Sequence, residues 1–202
     1  MVKFNKSPIY PVIQKYKSQY DIEIIPDFPS MTIIRKKDIS LFKVFMSTDV
    51  LTPLNTVLMS GFITQGKQVE LFEQQLSTYI ENPYIITLNS ATSGLLLALR
   101  LLKKTMNFDE TTDVVLSPAL TCFATNSAIL ANNCNIQWLD VDKNTSNISL
   151  TDLKNKLNAT TKIIYIVHWG GSPVDLDALD IILDNHQLQY GFRPAVIEDC
   201  AH

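Results

Sequence analysis

The stretch Thr161-Lys162-Ile163-Ile164-Tyr165-Ile166-Val167-His168 constrains the fold of this chain more than any other. Ile163 through Val167 run apolar without interruption. A strand of this kind offers no polar face to water, so both of its faces require cover. Similar runs recur at Tyr84–Leu88, Asp113–Ser117, Asn135–Val141 and Pro194–Asp199. Segments with helical character lie between them: Thr92–Lys104, Phe123–Ala131, Leu150–Leu157 with Ser149 as N-cap, and Pro173–His186 starting near Ser172. Upstream, Val69, Phe72, Leu76 and Tyr79 recur at helical spacing. Strands alternating with helices predict an α/β fold of three layers around a mostly parallel sheet.

An apolar fraction of 46% is enough for a sizeable core. The net charge of −3, with Lys and Arg scattered apart from Arg35-Lys36-Lys37 and Lys103-Lys104, argues against a nucleic-acid partner. Cys122, Cys134 and Cys200 are odd in number and form no CxxC pair, so neither a disulfide framework nor a metal site is expected. A reducing, cytoplasmic setting fits that usage. Leu95–Leu102 carries Arg100 and is too short to span a bilayer, and Met1–Lys6 lacks the features of a secretory signal; a soluble protein without a membrane partner is expected. Residues 1–42, punctuated by Pro8, Pro11, Pro26 and Pro29, read as an N-terminal extension that wraps over a neighbour or is partly mobile, and residues 43–202 read as the main domain.

Four motifs fall at strand ends, where open α/β sheets bind ligands. Asn89-Ser90-Ala91-Thr92-Ser93-Gly94 places small and hydroxyl residues at a helix start, which serves either as a capped terminus or as a phosphate cradle. Ser117-Pro118-Ala119-Leu120-Thr121-Cys122-Phe123 either lays a side chain over a flat ligand or simply ends a strand. Val167-His168-Trp169-Gly170-Gly171-Ser172 combines a His and a Trp with two glycines that permit left-handed backbone; His168 is either a ligand contact or hydrogen-bonded structure. His186 reads as the charged end of a helix. Glu198-Asp199-Cys200-Ala201-His202 brings carboxylates to the end of an apolar strand, where a cation or hydrogen-bond donors must meet them.

Taken in this order, and joined by Ser60-Gly61-Phe62-Ile63-Thr64-Gln65-Gly66, the motifs resemble the DegT/DnrJ/StrS family of pyridoxal-phosphate-dependent sugar aminotransferases. The resemblance covers about residues 43–202. It implies the N-terminal part of a fold-type I large domain of the aspartate-aminotransferase kind. It further implies pyridoxal 5′-phosphate as cofactor, a keto-sugar nucleotide as substrate, an amino-acid donor such as glutamate, and a homodimer.

By position, the resemblance assigns Ala91 and Thr92 to the cofactor phosphate, Cys122 to the ring face, Asp199 to the protonated ring nitrogen and His202 to the phenolic oxygen. Ala91 stands where Gly is commoner, and Cys122 where an aromatic or bulky residue is usual, with Phe123 beside it. The family's Schiff-base lysine lies in a segment past Asp199 that the chain does not reach, and Lys162 does not match its position, so the chain alone is expected to be inactive. Two alternatives accompany this expectation: a dehydratase of the same family, and a degenerate binding or dimerisation module.

Overall fold

The computed structural model describes residues 44–202, together with two short strands before them. It forms two compact units, residues 1–66 and 67–202. In the first, β1 (Ile22–Ile24) pairs antiparallel with β2 (Ile33–Arg35), Ile22 opposite Arg35. Apart from these strands, the expected extension over residues 1–42 lies outside the described residues. A 3-10 turn at Thr48–Val50, capped by the Ser47 hydroxyl, leads into α1 (Leu51–Ser60). The sequence reading did not anticipate α1. Pro53 sits in its first turn, where the missing N–H has no intrahelical partner to lose, and Gly61 ends it at φ 76°.

The second unit opens with α2 (Lys67–Tyr79), none of whose residues is buried; of the anticipated stripe, Val69 and Leu76 are half-buried while Phe72 and Tyr79 are exposed. After α3 (Ala91–Thr105) come β3 (Val114–Pro118), α4 (Phe123–Leu130), β4 (Asn135–Leu139), α5 (Leu150–Lys156), β5 (Thr161–Val167), α6 (Leu176–Tyr190) and β6 (Ala195–Asp199). The four strands form a wholly parallel sheet in the order β4-β3-β5-β6.

Alternate residues along each strand feed two separate cores. Val115, Ile163, Tyr165 and Ile197 pack with Leu95 and Leu99 of α3 and with Ala128 and Ile129 of α4. Leu116, Ile164 and Ile166 pack with Leu153 of α5 and with Leu179 and Leu183 of α6. The expected three-layer α/β arrangement is therefore present, with β5 buried on both faces.

Three sequence expectations need correction. Tyr84–Leu88 is not a strand. Its side chains still alternate, Ile85 and Thr87 being half-buried and Tyr84, Ile86 and Leu88 exposed, but no described strand lies beside it to form a ladder. It is tied instead by Glu73, whose Oε1 accepts from the Thr87 N–H at 2.7 Å and from its hydroxyl at 2.6 Å. The last helix begins at Leu176, not near Ser172: the Val174 N–H is engaged by His168 Nδ1, and Asp175 is the cap that accepts from the Ala178 N–H. That helix runs on to Tyr190, where Gly191 at φ 78° closes it. His186 consequently does not stand at the end of its helix. It is buried, with Nδ1 3.0 Å from the Phe192 carbonyl and Nε2 2.9 Å from the Asn158 carbonyl.

Candidate cofactor site at the carboxyl edge of the sheet

The carboxyl ends of β5 and β6 deliver their next residues to a common edge. There Thr121, Cys122, Val167, Trp169, Asp199, Ala201 and His202 line a cavity of about 180 Å³. Strand alternation settles which terminal carboxylate belongs to it. Asp199 lies on the face of Ile197, towards α3 and α4, whereas Glu198 lies on the other.

Asp199 is buried, and its oxygens are met by donors. Thr125, fully buried in the first turn of α4, donates its hydroxyl to Oδ2 at 2.7 Å. The Ala201 N–H donates to Oδ1 at 3.2 Å. A buried carboxylate so held leaves further lone pairs for a cationic N–H entering the cavity.

The glycine pair shapes the opposite wall. Gly170 and Gly171 both adopt left-handed backbone, at φ 60° and 79°. A Cβ on Gly171 would also meet the His202 carbonyl at 3.4 Å. The turn aims the Gly170 N–H at His202 Nδ1, 3.0 Å away. Because Nδ1 accepts, the neutral imidazole carries its proton on Nε2, leaving an N–H for a ligand. Trp169 stands edge-on to that ring, with centroids 5.6 Å apart. Asn147, buried and remote in sequence, fixes the turn by accepting from the Trp169 N–H and donating to the Ser172 carbonyl.

Cys122, Asp199 and His202 thus come together in one cavity. Ala91 and Thr92 do not line it; they lie exposed at the start of α3, behind the Ser90 cap that accepts from the Ser93 N–H. Tyr165 ties that helix to the sheet by donating its hydroxyl to the Leu95 carbonyl at 3.0 Å, and burial, followed by the nearby Cys134 and Asp199, pushes its phenol well above the usual range. Phe123 is exposed and does not line the cavity. Lys162 sits at the far end of β5, its Nζ 3.9 Å from the centre of the Phe192 ring.

His168 has a structural role. Its Nδ1 accepts from the Val174 N–H, so the neutral ring's proton lies on Nε2, which contacts Glu198 Oε2 at 2.9 Å. Cys200 completes a His168-Glu198-Cys200 cluster of potential metal ligands. In that cluster His168 Nε2 already faces Glu198, and burial, then Glu198 and Asp199, raise the Cys200 thiol. Sequence reading missed Thr125, Asn147 and Tyr165, which are far along the chain from what they hold. Among the described residues, no helix is long and apolar enough to cross a membrane.

The model of the DegT/DnrJ/EryC1/StrS aminotransferase family matches residues 46–202. The chain belongs to that family. Similar solved structures include AtS13 from Actinomadura melliaura, 49% identical with a TM-score of 0.76, and the sugar aminotransferase CalS13 from Micromonospora echinospora, 41% identical with a TM-score of 0.74. Each match covers 81% of this chain and 43% of the other. Spr1654 from Streptococcus pneumoniae, solved in a PLP form and a PMP form, is 28% identical, with TM-scores of 0.68 and 0.70 over 78% of this chain and 41% of its own. The chain therefore spans about two fifths of the length of these family members, and its sheet is part of their fold-type I domain.

Proposed function

We propose that this chain is the N-terminal part of a pyridoxal-phosphate-dependent aminotransferase that moves an amino group from glutamate to a keto-sugar nucleotide. The observation that carries the reading is Asp199: a buried carboxylate, donor-held from behind, facing a cavity beside a His202 N–H. These residues suit pyridoxal phosphate. Asp199 would accept from the protonated ring nitrogen, His202 Nε2 would donate to the phenolic oxygen, and Cys122 would face the ring. Ala91 and Thr92 would receive the phosphate through the free N–H groups of the α3 terminus and the Thr92 hydroxyl. When bound, the cofactor supplies an electron sink for the carbon that gains or loses the amino group. Asp199 sustains that sink by keeping the ring nitrogen protonated.

The amine that holds the cofactor and carries the proton comes from outside this chain, so the chain alone has no transaminase activity. Residues 43–202 are the incomplete large domain and residues 1–42 its extension, in a cytoplasmic homodimer. The test is to supply the full-length protein with pyridoxal phosphate, glutamate and a keto-sugar nucleotide and to weigh the product. Replacement of the carbonyl oxygen by an amino group supports the reading; loss of a sugar hydroxyl without amination assigns a dehydratase instead. Asp199→Asn in the same protein abolishes most turnover if the assignment holds, and wild-type turnover in that variant refutes it.

A further inference from the structure

The backbone of Asp199 is held in the sheet, paired with Val167 and accepting the His168 N–H, but its carboxylate is held from elsewhere. Among the described residues, β6 is bonded to β5 alone. Its last carboxylate receives one backbone donor, the Ala201 N–H, from the segment that follows it. The other donor comes from across the cavity wall. Thr125 Oγ1 lies 2.7 Å from Asp199 Oδ2, and Thr121 Oγ1 lies 2.8 Å from Thr125 Oγ1. The ionised carboxylate only accepts, so the Thr125 proton is committed to it. The Thr121 proton must then point to Thr125. The two hydroxyls form a directional chain, Thr121 to Thr125 to Asp199, with aligned dipoles that reinforce one another. Thr125 is fully buried, so water does not replace it, while Thr121 is half-buried and lines the cavity.

We infer that Thr121 and Thr125 are positioning residues for the cofactor: their hydroxyl chain holds the Asp199 carboxylate in the orientation that receives the ring nitrogen. This rests on the cofactor reading proposed above. The chain also links the residue before Cys122 to Asp199, so the loop beside the ring and the group beneath its nitrogen are set by one network.

The experiment uses the chain with 13C at its aspartate carboxyl carbons, the Asp199 resonance being identified by its loss in Asp199→Asn, and has two readouts. The first is that resonance in the absence of cofactor. The second is the affinity for pyridoxal phosphate, read from Trp169 quenching, with thermal melting as a check on folding. Thr125→Val is expected to shift the resonance and to weaken binding about tenfold, the loss of one hydrogen bond to a charged group. Thr125→Ser, which keeps the hydroxyl, is expected to leave the resonance in place and binding within about twofold. Thr121→Val is expected to weaken binding about threefold, because it removes the outer donor only, and to add nothing on top of Thr125→Val. Should Thr125→Val not fold, Thr121→Val and Thr125→Ser carry the same comparison.

An unmoved resonance with unchanged affinity in the valine variants overturns the inference. So does a serine variant as impaired as the valine one, since the methyl group would then be what matters. If the wild-type chain binds no pyridoxal phosphate but the resonance still follows the hydroxyl, the cofactor reading falls and the hydroxyl chain stands.

Discussion

Two stretches of the second unit supply the two ends of the candidate site, and they are built differently. The Asp199 end stands on the parallel sheet, where β3 and β5 are almost wholly buried and Thr125 meets the carboxylate from a packed helix. The other end, Ala91 and Thr92, which we propose for the phosphate, follows the stretch from α2 to Ser90, in which no residue is buried. That stretch is held by point contacts: Glu73 to Thr87, and Tyr165 to Leu95 just beyond it. Asp199 is thus held by the packed sheet and helix, whereas the stretch leading to Ala91 is held by a few hydrogen bonds and joins the core only from Leu95 onward.

The strongest test of this contrast is packing. Leu116→Ala, at a fully buried sheet position, is expected to destabilise by about 2–5 kcal/mol in denaturant unfolding. Phe72→Ala in α2, where the ring is half in water, is expected to stay below about 1 kcal/mol. Equal losses would break the comparison.

Tyr165→Phe sharpens it, because that hydroxyl joins the two ends. We expect a loss of about 1–2 kcal/mol from the broken buried bond. The phenol is raised in the folded state, so its stabilisation is complete below the unfolded value of about 10 and declines as pH rises past it. Melting temperatures measured from pH 8 to 11 should therefore fall at the alkaline end, and the variant should lose that component.

Glu73→Gln probes the exposed end. The Thr87 hydroxyl, then its N–H, lowers the Glu73 carboxyl, so the stabilisation is present at neutral pH and is lost as pH falls through that lowered value. The variant is expected to melt about 2 °C or less below wild type at pH 7, with the gap closing as pH falls through the lowered value. Thr92→Ala has the smallest expected effect on stability, none within error, since the side chain is exposed. Its affinity for pyridoxal phosphate should still fall about tenfold if the hydroxyl takes the phosphate.

What was legible in the sequence follows the same division. The buried strands announced themselves as continuous apolar runs, and Ser149 was readable as a cap because it accepts from the Asp152 N–H three residues on. Asp199 and His202 were legible because a carboxylate after an apolar strand must be met by something. Tyr84–Leu88 has strand composition, but a strand also needs a neighbour, and composition does not supply one. Thr125 was illegible: its partner lies 74 residues away, and the threonine looks like any other in a helix start. Asn147 was missed for the same reason, being 22 residues from the Trp169 N–H it holds. His186 was misread because its helix continues past it to Gly191.

The opposite facing of Glu198 and Asp199 has a consequence for how β6 tolerates sequence change. Ile166 stands opposite Glu198 and Val167 opposite Asp199. A single inserted or deleted residue in β6 would turn Asp199 towards His168 and present Glu198 to the cavity. Both are carboxylates, so the charge at the edge would look unaltered while Thr125 met a carboxylate on a longer side chain in place of Asp199. For this strand, length is a stricter inheritance than identity.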